Sequence, residues 1–248
     1  MDKLCTMSLK HHVILITGAG GGLGSTAALA LAKNGAHIIL LDKNIAKLEV
    51  VYDAILAVNA PEPIIYPFDL AGANENDYQE LANTITEEYG SLQGLLHSAV
   101  EFSSFTPVSQ FGTKEWGHTL NVNLNAAFIL TRMLLPVLEK SRHASIVFTS
   151  DSSARKAHAY SGAYGVSKIA MEGLAKILAE ELEAANKIRV NTLIPGAVDS
   201  PLRKRAYPAE DKAKLPTMAS LAPAYLYLFG SQSVGVTGQA IEAATFHL

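Results

Sequence analysis

The chain has 248 residues, of which 49% are hydrophobic and 17% charged, and its formal net charge is −3. This composition excludes intrinsic disorder, which requires low hydrophobicity and high charge. The slightly acidic balance argues against nucleic acid as the main partner, because phosphate binding needs a basic surface. We expect one domain over residues 1–248, because α/β domains commonly reach about 200–250 residues.

The cysteine content and the amino-terminal segment bear on the cell compartment. Cys5 is the only cysteine, so we expect neither a disulfide framework nor a thiolate metal cluster, and we predict no metal. Met1–Cys5 and the residues that follow lack the apolar core of a signal peptide. No apolar run approaches the roughly 18–20 residues that span a bilayer. We therefore expect a cytoplasmic protein that does not enter a membrane.

In chain order, short apolar runs alternate with longer amphipathic segments. The apolar runs predict strands at Val13–Thr17, His37–Leu41, Ile64–Phe68, Leu92–His97, Ser145–Thr149, Arg189–Leu193 and Gln239–Ala243. The amphipathic segments predict helices at Leu23–Lys33, Ile45–Val58, Glu75–Tyr89, Lys114–Glu139, Ala163–Ala185 and Thr217–Phe229. Strands that alternate with helices predict an α/β fold, with a doubly wound parallel sheet and helices on both faces. The Pro-rich segment Ala197–Pro216 is either a surface loop or a substrate lid.

A glycine-rich turn follows the first predicted strand, with the sequence Thr17-Gly18-Ala19-Gly20-Gly21-Gly22-Leu23-Gly24. Glycines between a strand and a helix let backbone N–H groups approach a pyrophosphate. Asp42 ends the next strand, 18 positions beyond Gly24, where a carboxylate can accept hydrogen bonds from a ribose. Asp42 can equally be a helix or turn cap. No Gly-Lys-Ser/Thr sequence closes the turn, which disfavours a P-loop NTPase.

Thr17-Gly18-x-x-x-Gly22-x-Gly24 resembles the cofactor motif of the short-chain dehydrogenase/reductase family, in its form of about 250 residues. The pattern is similar to bacterial oxidoreductases of the YciK type. The resemblance implies a Rossmann-type single domain, with a cofactor half at about 13–100 and a catalytic and substrate half at about 101–248. It also implies NAD or NADP as cofactor, a small-molecule substrate, and a homodimer or homotetramer.

Further cofactor contacts follow from the same resemblance. Asp69, after the third strand, matches the family residue that contacts the adenine amine, and the turn at Pro195–Ser200 resembles the one that holds the nicotinamide carboxamide. The predicted cofactor residues are Gly18, Gly20, Gly21, Gly22, Leu23, Gly24, Asp42, Lys43, Asp69, Leu70, Ser98, Ala99, Tyr164, Lys168, Pro195, Gly196, Val198 and Ser200. Asp42 favours NAD, because its carboxylate would repel a 2′-phosphate, whereas Lys43 favours NADP.

Tyr164 and Lys168 match the Tyr-x-x-x-Lys motif of the family. Residues four apart share one face of a helix, so the phenol and the ammonium can serve one site. The resemblance makes Tyr164 the general acid/base, and the Lys168 ammonium and the positive nicotinamide ring should together lower its pKa. The resemblance also implies that Lys168 binds the nicotinamide ribose. Asn123 aligns with the family asparagine that holds a water behind the lysine.

Two positions depart from the family pattern. His97-Ser98-Ala99-Val100 replaces the usual Asn-Asn-Ala-Gly, and we interpret His97 as structural. The family serine lies thirteen residues before the tyrosine, and here that position is Asp151. An ionised Asp151 would repel a developing alkoxide.

Four explanations for Asp151 stand open. A shift by one residue could present Ser152 or Ser150 instead, or burial could keep Asp151 protonated as a donor. The substrate could be cationic, or the chain could bind cofactor and catalyse poorly. The leading hypothesis is an NAD(P)-dependent oxidoreductase acting on alcohols and carbonyls. Its rivals are a nucleotide-binding sensor or scaffold with lost catalysis, and a methyltransferase, which would leave the Tyr164/Lys168 pair unexplained.

Overall fold

A computed structural model of the chain describes residues 8–246. Cys5 and the amino-terminal segment on which the compartment prediction depends lie outside the described residues. Within residues 8–246 a single seven-stranded sheet forms, in the order β3-β2-β1-β4-β5-β6-β7, and every neighbouring pair is parallel. The strands are β1 (Val13–Thr17), β2 (His37–Asp42), β3 (Ile64–Pro67), β4 (Gly94–His97), β5 (Ala144–Thr149), β6 (Ile188–Ile194) and β7 (Ala240–Glu242).

Helices cover both faces of the sheet, which confirms the predicted fold. They are α1 (Gly22–Lys33), α2 (Ile45–Leu56), α3 (Glu75–Tyr89), α4 (Thr113–Leu120), α5 (Ala126–Leu138), α6 (Ser152–Lys156), α7 (Gly162–Glu183), α8 (Pro201–Ala206) and α9 (Ala222–Phe229). Successive side chains of a strand point to opposite faces. In β1, Ile14 and Ile16 pack in one core cluster with α1, α2 and α9, whereas Leu15 packs in the other with α3, α5 and α7.

Three predicted segments differ from the structure. The single helix predicted at Lys114–Glu139 is interrupted by a π-helical turn at Asn121–Asn125, which separates α4 from α5. The helix predicted from Thr217 begins at Ala222, after a 3₁₀ turn at Met218–Leu221. The irregular stretch Ala197–Pro216 contains α8 and a 3₁₀ turn at Lys212–Lys214. Periodicity detects apolar spacing, and it does not register a change of helix type.

The run Thr113–Leu138, formed by α4, the π turn and α5, is long and apolar enough by length and composition to cross a membrane. The sequence analysis predicted a helix here, but because it sought unbroken apolar runs it did not identify this helix as long and apolar enough to span a bilayer. Its α5 part buries Leu130, Leu134 and Leu138 in the core against the sheet. Packing in the core therefore accounts for this apolar composition.

The carboxyl ends of the parallel strands gather the predicted site at one edge of the sheet. The glycine-rich turn follows β1, Asp42 ends β2 and Ser98 follows β4. Asp151 follows β5, and Pro195 follows β6. The strand order reverses between β1 and β4, and ligands of doubly wound sheets bind in the crevice at such a reversal.

Candidate active site

The glycine-rich turn after β1 leaves no room for a side chain at two positions. Gly18 has a φ of +65°, and a Cβ there would lie 2.6 Å from the Cα of Ala99. A Cβ on Gly24 would collide with the carbonyl oxygen of Gly18. α1 begins directly after the turn, and its N-cap residue Gly21 makes no side-chain hydrogen bond. The amino-terminal N–H groups of α1 can therefore face an anion, as a phosphate-binding turn requires.

A cavity beside this turn, the Asp42 cavity, contains many of the predicted cofactor residues. The Asp42 carboxylate accepts hydrogen bonds from the backbone N–H of Gly20 at 3.2 Å and of Asn44 at 3.0 Å. Asp42 therefore acts as a turn cap and also lines the cavity, which unites the two interpretations of this residue. The predicted residues that line the cavity are Gly18, Gly21, Asp42, Lys43, Asp69, Leu70, Ser98 and Ala99.

The sequence-based prediction missed Lys47, which also lines the Asp42 cavity. Asn44 caps α2 by accepting a hydrogen bond from the backbone N–H of Lys47, which places Lys47 in the first turn of the helix. The Cβ of Lys47 lies 2.8 Å from the position that a Cβ on Gly20 would occupy. The available signal was a second lysine four residues after Lys43, directly beyond the end of β2.

Ser98 joins the Asp42 cavity to a second cavity. The backbone N–H groups of Ser98 and Ala99 donate to the hydroxyl of Thr17, at 3.1 and 3.2 Å. The Ser98 hydroxyl is buried and has no hydrogen-bond partner among the described residues. Val100 lines both cavities. A buried polar atom without a partner is costly, so this hydroxyl is suited to a ligand between the two cavities.

The second cavity, the Tyr164 cavity, brings three of the predicted catalytic residues together. Tyr164 and Lys168 lie one turn apart on α7, and both line the cavity with Asp151. The Tyr164 hydroxyl donates to Asp151 Oδ2 at 3.0 Å. Lys168 Nζ donates to the carbonyl oxygen of Thr149 at 2.8 Å and lies 5.7 Å from the centre of the Tyr164 ring. The site therefore has the geometry of a proton-transfer centre.

The pKa of Tyr164 differs from the prediction. Burial raises this pKa well above the usual 10, and the charge and hydrogen bond of Asp151 raise it further. Burial also lowers the pKa of Lys168 to about 8, although Asp151 opposes this shift. In the structure, burial and the Asp151 carboxylate therefore set the direction of this shift, whereas the predicted lowering of the pKa depends on Lys168 together with the positive nicotinamide ring.

Of the side chains at 150–152, Asp151 is the one bonded to Tyr164. The Ser150 hydroxyl is buried and donates to Glu172 Oε1 on α7 at 2.6 Å. Ser152 begins α6, is exposed and does not line the Tyr164 cavity. The structure therefore gives no support to a shift by one residue, since neither serine takes the position beside the phenol.

Asn123 is buried in the π turn and fixes the loop that follows β4. Its amide donates to the carbonyl oxygen of Glu101 and to the Ser167 hydroxyl, both at 3.0 Å, and its Oδ1 accepts from the Glu101 N–H at 2.6 Å. Ser167 directly precedes Lys168 on α7. Asn123 therefore contacts α7 at the residue before Lys168, and its predicted role in holding a water stays a prediction. Asn121 donates elsewhere, to the carbonyl oxygen of Ala71.

The turn after β6 and the segment beyond it form another wall of the Tyr164 cavity. Pro195, Gly196, Val198 and Ser200 line this wall, and from the glycine-rich turn Leu23 lines the same cavity. The Ser200 hydroxyl also caps α8, because it accepts from the Arg203 N–H at 3.1 Å. The predicted cofactor residues Gly20, Gly22 and Gly24 belong to the turn itself and line neither cavity.

Aromatic side chains complete the Tyr164 cavity. Phe102 lies 5.2 Å from both Phe105 and Tyr164, and Phe105 lies 5.3 Å from Tyr207, in each case between ring centres. Tyr207 follows α8, so the segment that the sequence left open as a loop or a lid contributes a wall of the cavity. We name this continuous set the aromatic wall: Phe102, Phe105, Tyr164 and Tyr207.

His97 is fully engaged in the core and does not line the Tyr164 cavity. Its Nε2 lies 2.8 Å from the Thr131 hydroxyl, and its ring stacks on Phe148 at 4.7 Å. Burial lowers the pKa of His97 to about 3. The structural interpretation of this histidine therefore agrees with its surroundings.

The residues present fit a dinucleotide that extends across the two cavities. The glycine-rich turn provides helix N–H groups for phosphates, and the Ser98 hydroxyl provides a buried polar atom at the junction. Among residues 8–246, no three His, Cys, Asp or Glu side chains group as potential metal ligands.

The sequence matches the family model for short chain dehydrogenases over residues 12–211. The chain is 39% identical over 235 residues to the Escherichia coli oxidoreductase YciK, covering 95% of this chain and 92% of that protein. These matches confirm the resemblance to the family and to its YciK-type members.

Solved structures have the same fold. A short chain dehydrogenase from Pseudomonas syringae has a TM-score of 0.92 and 45% identity, with 95% of each chain covered. A short chain dehydrogenase from Shigella flexneri, complexed with NADP, has a TM-score of 0.92 and 38% identity, covering 95% of this chain and 98% of that chain.

Proposed function

Because the chain belongs to the short-chain dehydrogenase/reductase family, we propose that it is an NAD(P)-dependent oxidoreductase that interconverts a hydroxyl and a carbonyl group. The observation that carries this proposal is the placement of Tyr164 and Lys168 in one cavity, joined at Ser98 to the cavity beside the glycine-rich turn. The substrate would be a small molecule. The bound nicotinamide would supply or accept the hydride.

The proposed roles follow from the contacts of each side chain. Tyr164 exchanges the proton of the substrate oxygen, and Lys168 binds the nicotinamide ribose. Asn123 holds the loop at Glu101 and the helix beside Lys168 in place. Because burial and Asp151 raise the pKa of Tyr164, its hydroxyl keeps its proton at neutral pH. The protonated phenol can donate a hydrogen bond to the substrate oxygen.

The cofactor half, at about 13–100, would bind the dinucleotide, and the half at about 101–248 would bind substrate. The prediction of NAD depends on Asp42, which faces the proposed ribose position. Lys43 and Lys47 line the same cavity and add two positive charges, which supports a 2′-phosphate. We therefore propose that the protein accepts both NAD(H) and NADP(H), and that Asp42 sets the ratio of their affinities.

A second candidate is a cofactor-binding sensor or scaffold with impaired catalysis. The hydrogen bond between Tyr164 and Asp151 favours it, because a carboxylate occupies the place of the family serine. One well-placed oxyanion donor contributes about 2.7–4 kcal/mol to catalysis, so its replacement by an acceptor opposes carbonyl reduction.

Cofactor titration and a carbonyl panel test the proposal. We expect NADH and NADPH to bind, and Tyr164→Phe to abolish carbonyl reduction while cofactor affinity stays unchanged, because the ring remains and the proton donor is lost. Asp42→Ala should shift the affinity ratio toward NADPH by about tenfold, or roughly 1.4 kcal/mol. Turnover that survives in Tyr164→Phe would refute the mechanism. Cofactor binding without turnover, in both the parent and Asp151→Ser, would favour the sensor or scaffold.

A further inference from the structure

The group nearest the proton of Tyr164 is a carboxylate. Asp151 Oδ2 accepts the phenol hydrogen bond at 3.0 Å, so any substrate atom that contacts the phenol also approaches this oxygen. An ionised carboxylate accepts hydrogen bonds and cannot donate them. A carbonyl oxygen is also only an acceptor, and the two repel. A substrate atom that carries both a hydrogen and a positive charge can instead donate a hydrogen bond to Asp151.

The charges around Asp151 also favour a positively charged substrate. Lys168 brings one positive charge to the site, and Arg203 is paired with Glu210 through two contacts of 2.6 Å. Compared with a serine, Asp151 adds one negative charge. A carbonyl gains negative charge as hydride arrives, whereas a protonated imine goes from positive to neutral. An added negative charge in the site therefore fits a substrate that carries one more positive charge.

The aromatic wall favours a cationic substrate at positions beyond the reacting atoms. Aromatic faces attract cations, and planar cations in particular stack on them. The Arg203 guanidinium already lies 3.7 Å from the centre of the Tyr207 ring. Leu202 and Val198 add apolar surface to the same cavity. The cavity therefore combines the Asp151 carboxylate with aromatic and apolar walls, and the cations Lys168 and Arg203 also line it.

From these observations, and resting on the proposed hydride transfer, we propose that the preferred electrophile is the protonated C=N bond of an imine with an apolar body, and that Asp151 selects it. Hydride forms the new C–H bond at the imine carbon, and the π pair of the C=N bond becomes the lone pair of the amine nitrogen. The imine is reduced and a dihydronicotinamide is oxidised. The nitrogen already carries its proton, which Asp151 holds by a hydrogen bond, so no proton moves in this step.

Matched substrates test the selection. The parent protein with NADPH and with NADH should reduce dihydroisoquinoline with a higher kcat/KM than tetralone, a bicyclic ketone of similar size. Asp151→Asn keeps the side-chain shape and removes the charge, and it should lower kcat/KM for the imine by roughly tenfold to a hundredfold. Asp151→Ser should lower imine reduction similarly and raise tetralone reduction. A parent that prefers tetralone would overturn the inference.

Binding of a matched pair gives a readout that does not depend on turnover. Tetrahydroisoquinoline is a cation at neutral pH, and isochroman is its neutral oxygen analogue. Calorimetry should find the cation bound at least tenfold more tightly, and Asp151→Asn should remove that difference. Equal affinities in the parent would refute the selection.

The inference and the proposed function fail in different ways. Reduction of tetralone but not of the imine, by the parent, leaves the proposed function standing and refutes the inference. Absence of both reductions, in the parent and in Asp151→Ser with cofactor bound, refutes both.

Discussion

His97 is a buried base that the fold keeps neutral. Burial lowers its pKa from 6.5 to about 3, so protonation favours the unfolded chain. The stability that neutral His97 provides is complete above a pH of about 6.5 and is lost as the pH falls toward 3. His97→Asn introduces the residue that the family pattern has at this position and removes the titration.

Urea unfolding at about pH 7.5 and about pH 5.5 measures this effect. Between these values the parent should lose about 1.4 kcal/mol more unfolding free energy than His97→Asn, which corresponds to one pH unit below the unfolded pKa. Other histidines are common to both proteins and cancel in the comparison. An equal loss in the two proteins would contradict the assigned pKa.

At the same scale, residue spacing in the sequence identified site residues but did not predict their contacts or pKa values. Counting back from Tyr164 placed Asp151 in the site, but the orientation of Ser150 toward Glu172 depends on a residue 22 positions away. Lys47 reaches the Asp42 cavity only because Asn44 starts α2 where it does. The raised pKa of Tyr164 could not be predicted either, because burial is a property of the folded chain.

At the scale of elements, a polar contact ties the loop after β5 to α7. Glu172 Oε1 accepts a hydrogen bond from the Ser150 hydroxyl, and Glu172 Oε2 lies 3.6 Å from the Arg155 guanidinium. Arg155 also lies 3.5 Å from Glu242, the last residue of β7. Because Asp151 lies between Ser150 and α6, Glu172 positions the carboxylate beside Tyr164.

Glu172→Ala should therefore lower kcat for imine reduction about fivefold to thirtyfold, from the loss of roughly 1–2 kcal/mol of charged hydrogen bonding. Cofactor affinity should not change, and Glu172→Gln, which keeps an acceptor for Ser150, should restore most of kcat. Glu180→Ala, an exposed change on the same helix, is the control. A parallel fall in cofactor affinity would indicate general destabilisation of α7 instead.

Element type and order could be predicted because apolar periodicity reports burial directly. All seven predicted strands are present, with ends that differ by at most two residues. The π turn could not be predicted, because periodicity does not distinguish helix types and because Asn123, within this turn, contacts Glu101 and Ser167, which are distant in sequence. Longer-range packing, not local propensity, decides such interruptions.

At the scale of the whole molecule, α7 has two apolar faces. Met171 and Leu178 are buried against the sheet, whereas Ile169 and Ile177 are 46% and 58% exposed. Phe128 on α5 is also 48% exposed. The resemblance to the family implies a homodimer or homotetramer. We propose that the exposed face is covered by a second copy of the chain.

Ile177→Glu should convert the oligomer into a monomer of about 26.4 kDa, because the new charge would be buried at the interface. Val50→Glu, at a position 69% exposed on α2, should leave the oligomer intact. Light scattering at micromolar concentration measures both masses. A monomeric parent would contradict the proposal.

The segment that supplies Tyr207 begins and ends at nearly the same point in the structure. Asp199 pairs with Thr217 in a parallel bridge, and the Asp199 N–H donates to Pro216 at 2.9 Å. Insertions between two fixed ends cost little closure entropy, since each doubling of loop length adds only about 0.6 kcal/mol. We expect that a loop of another length can replace this segment between Asp199 and Thr217. The graft should change which substrates the protein accepts, while the sheet and the helices that cover it fold as before.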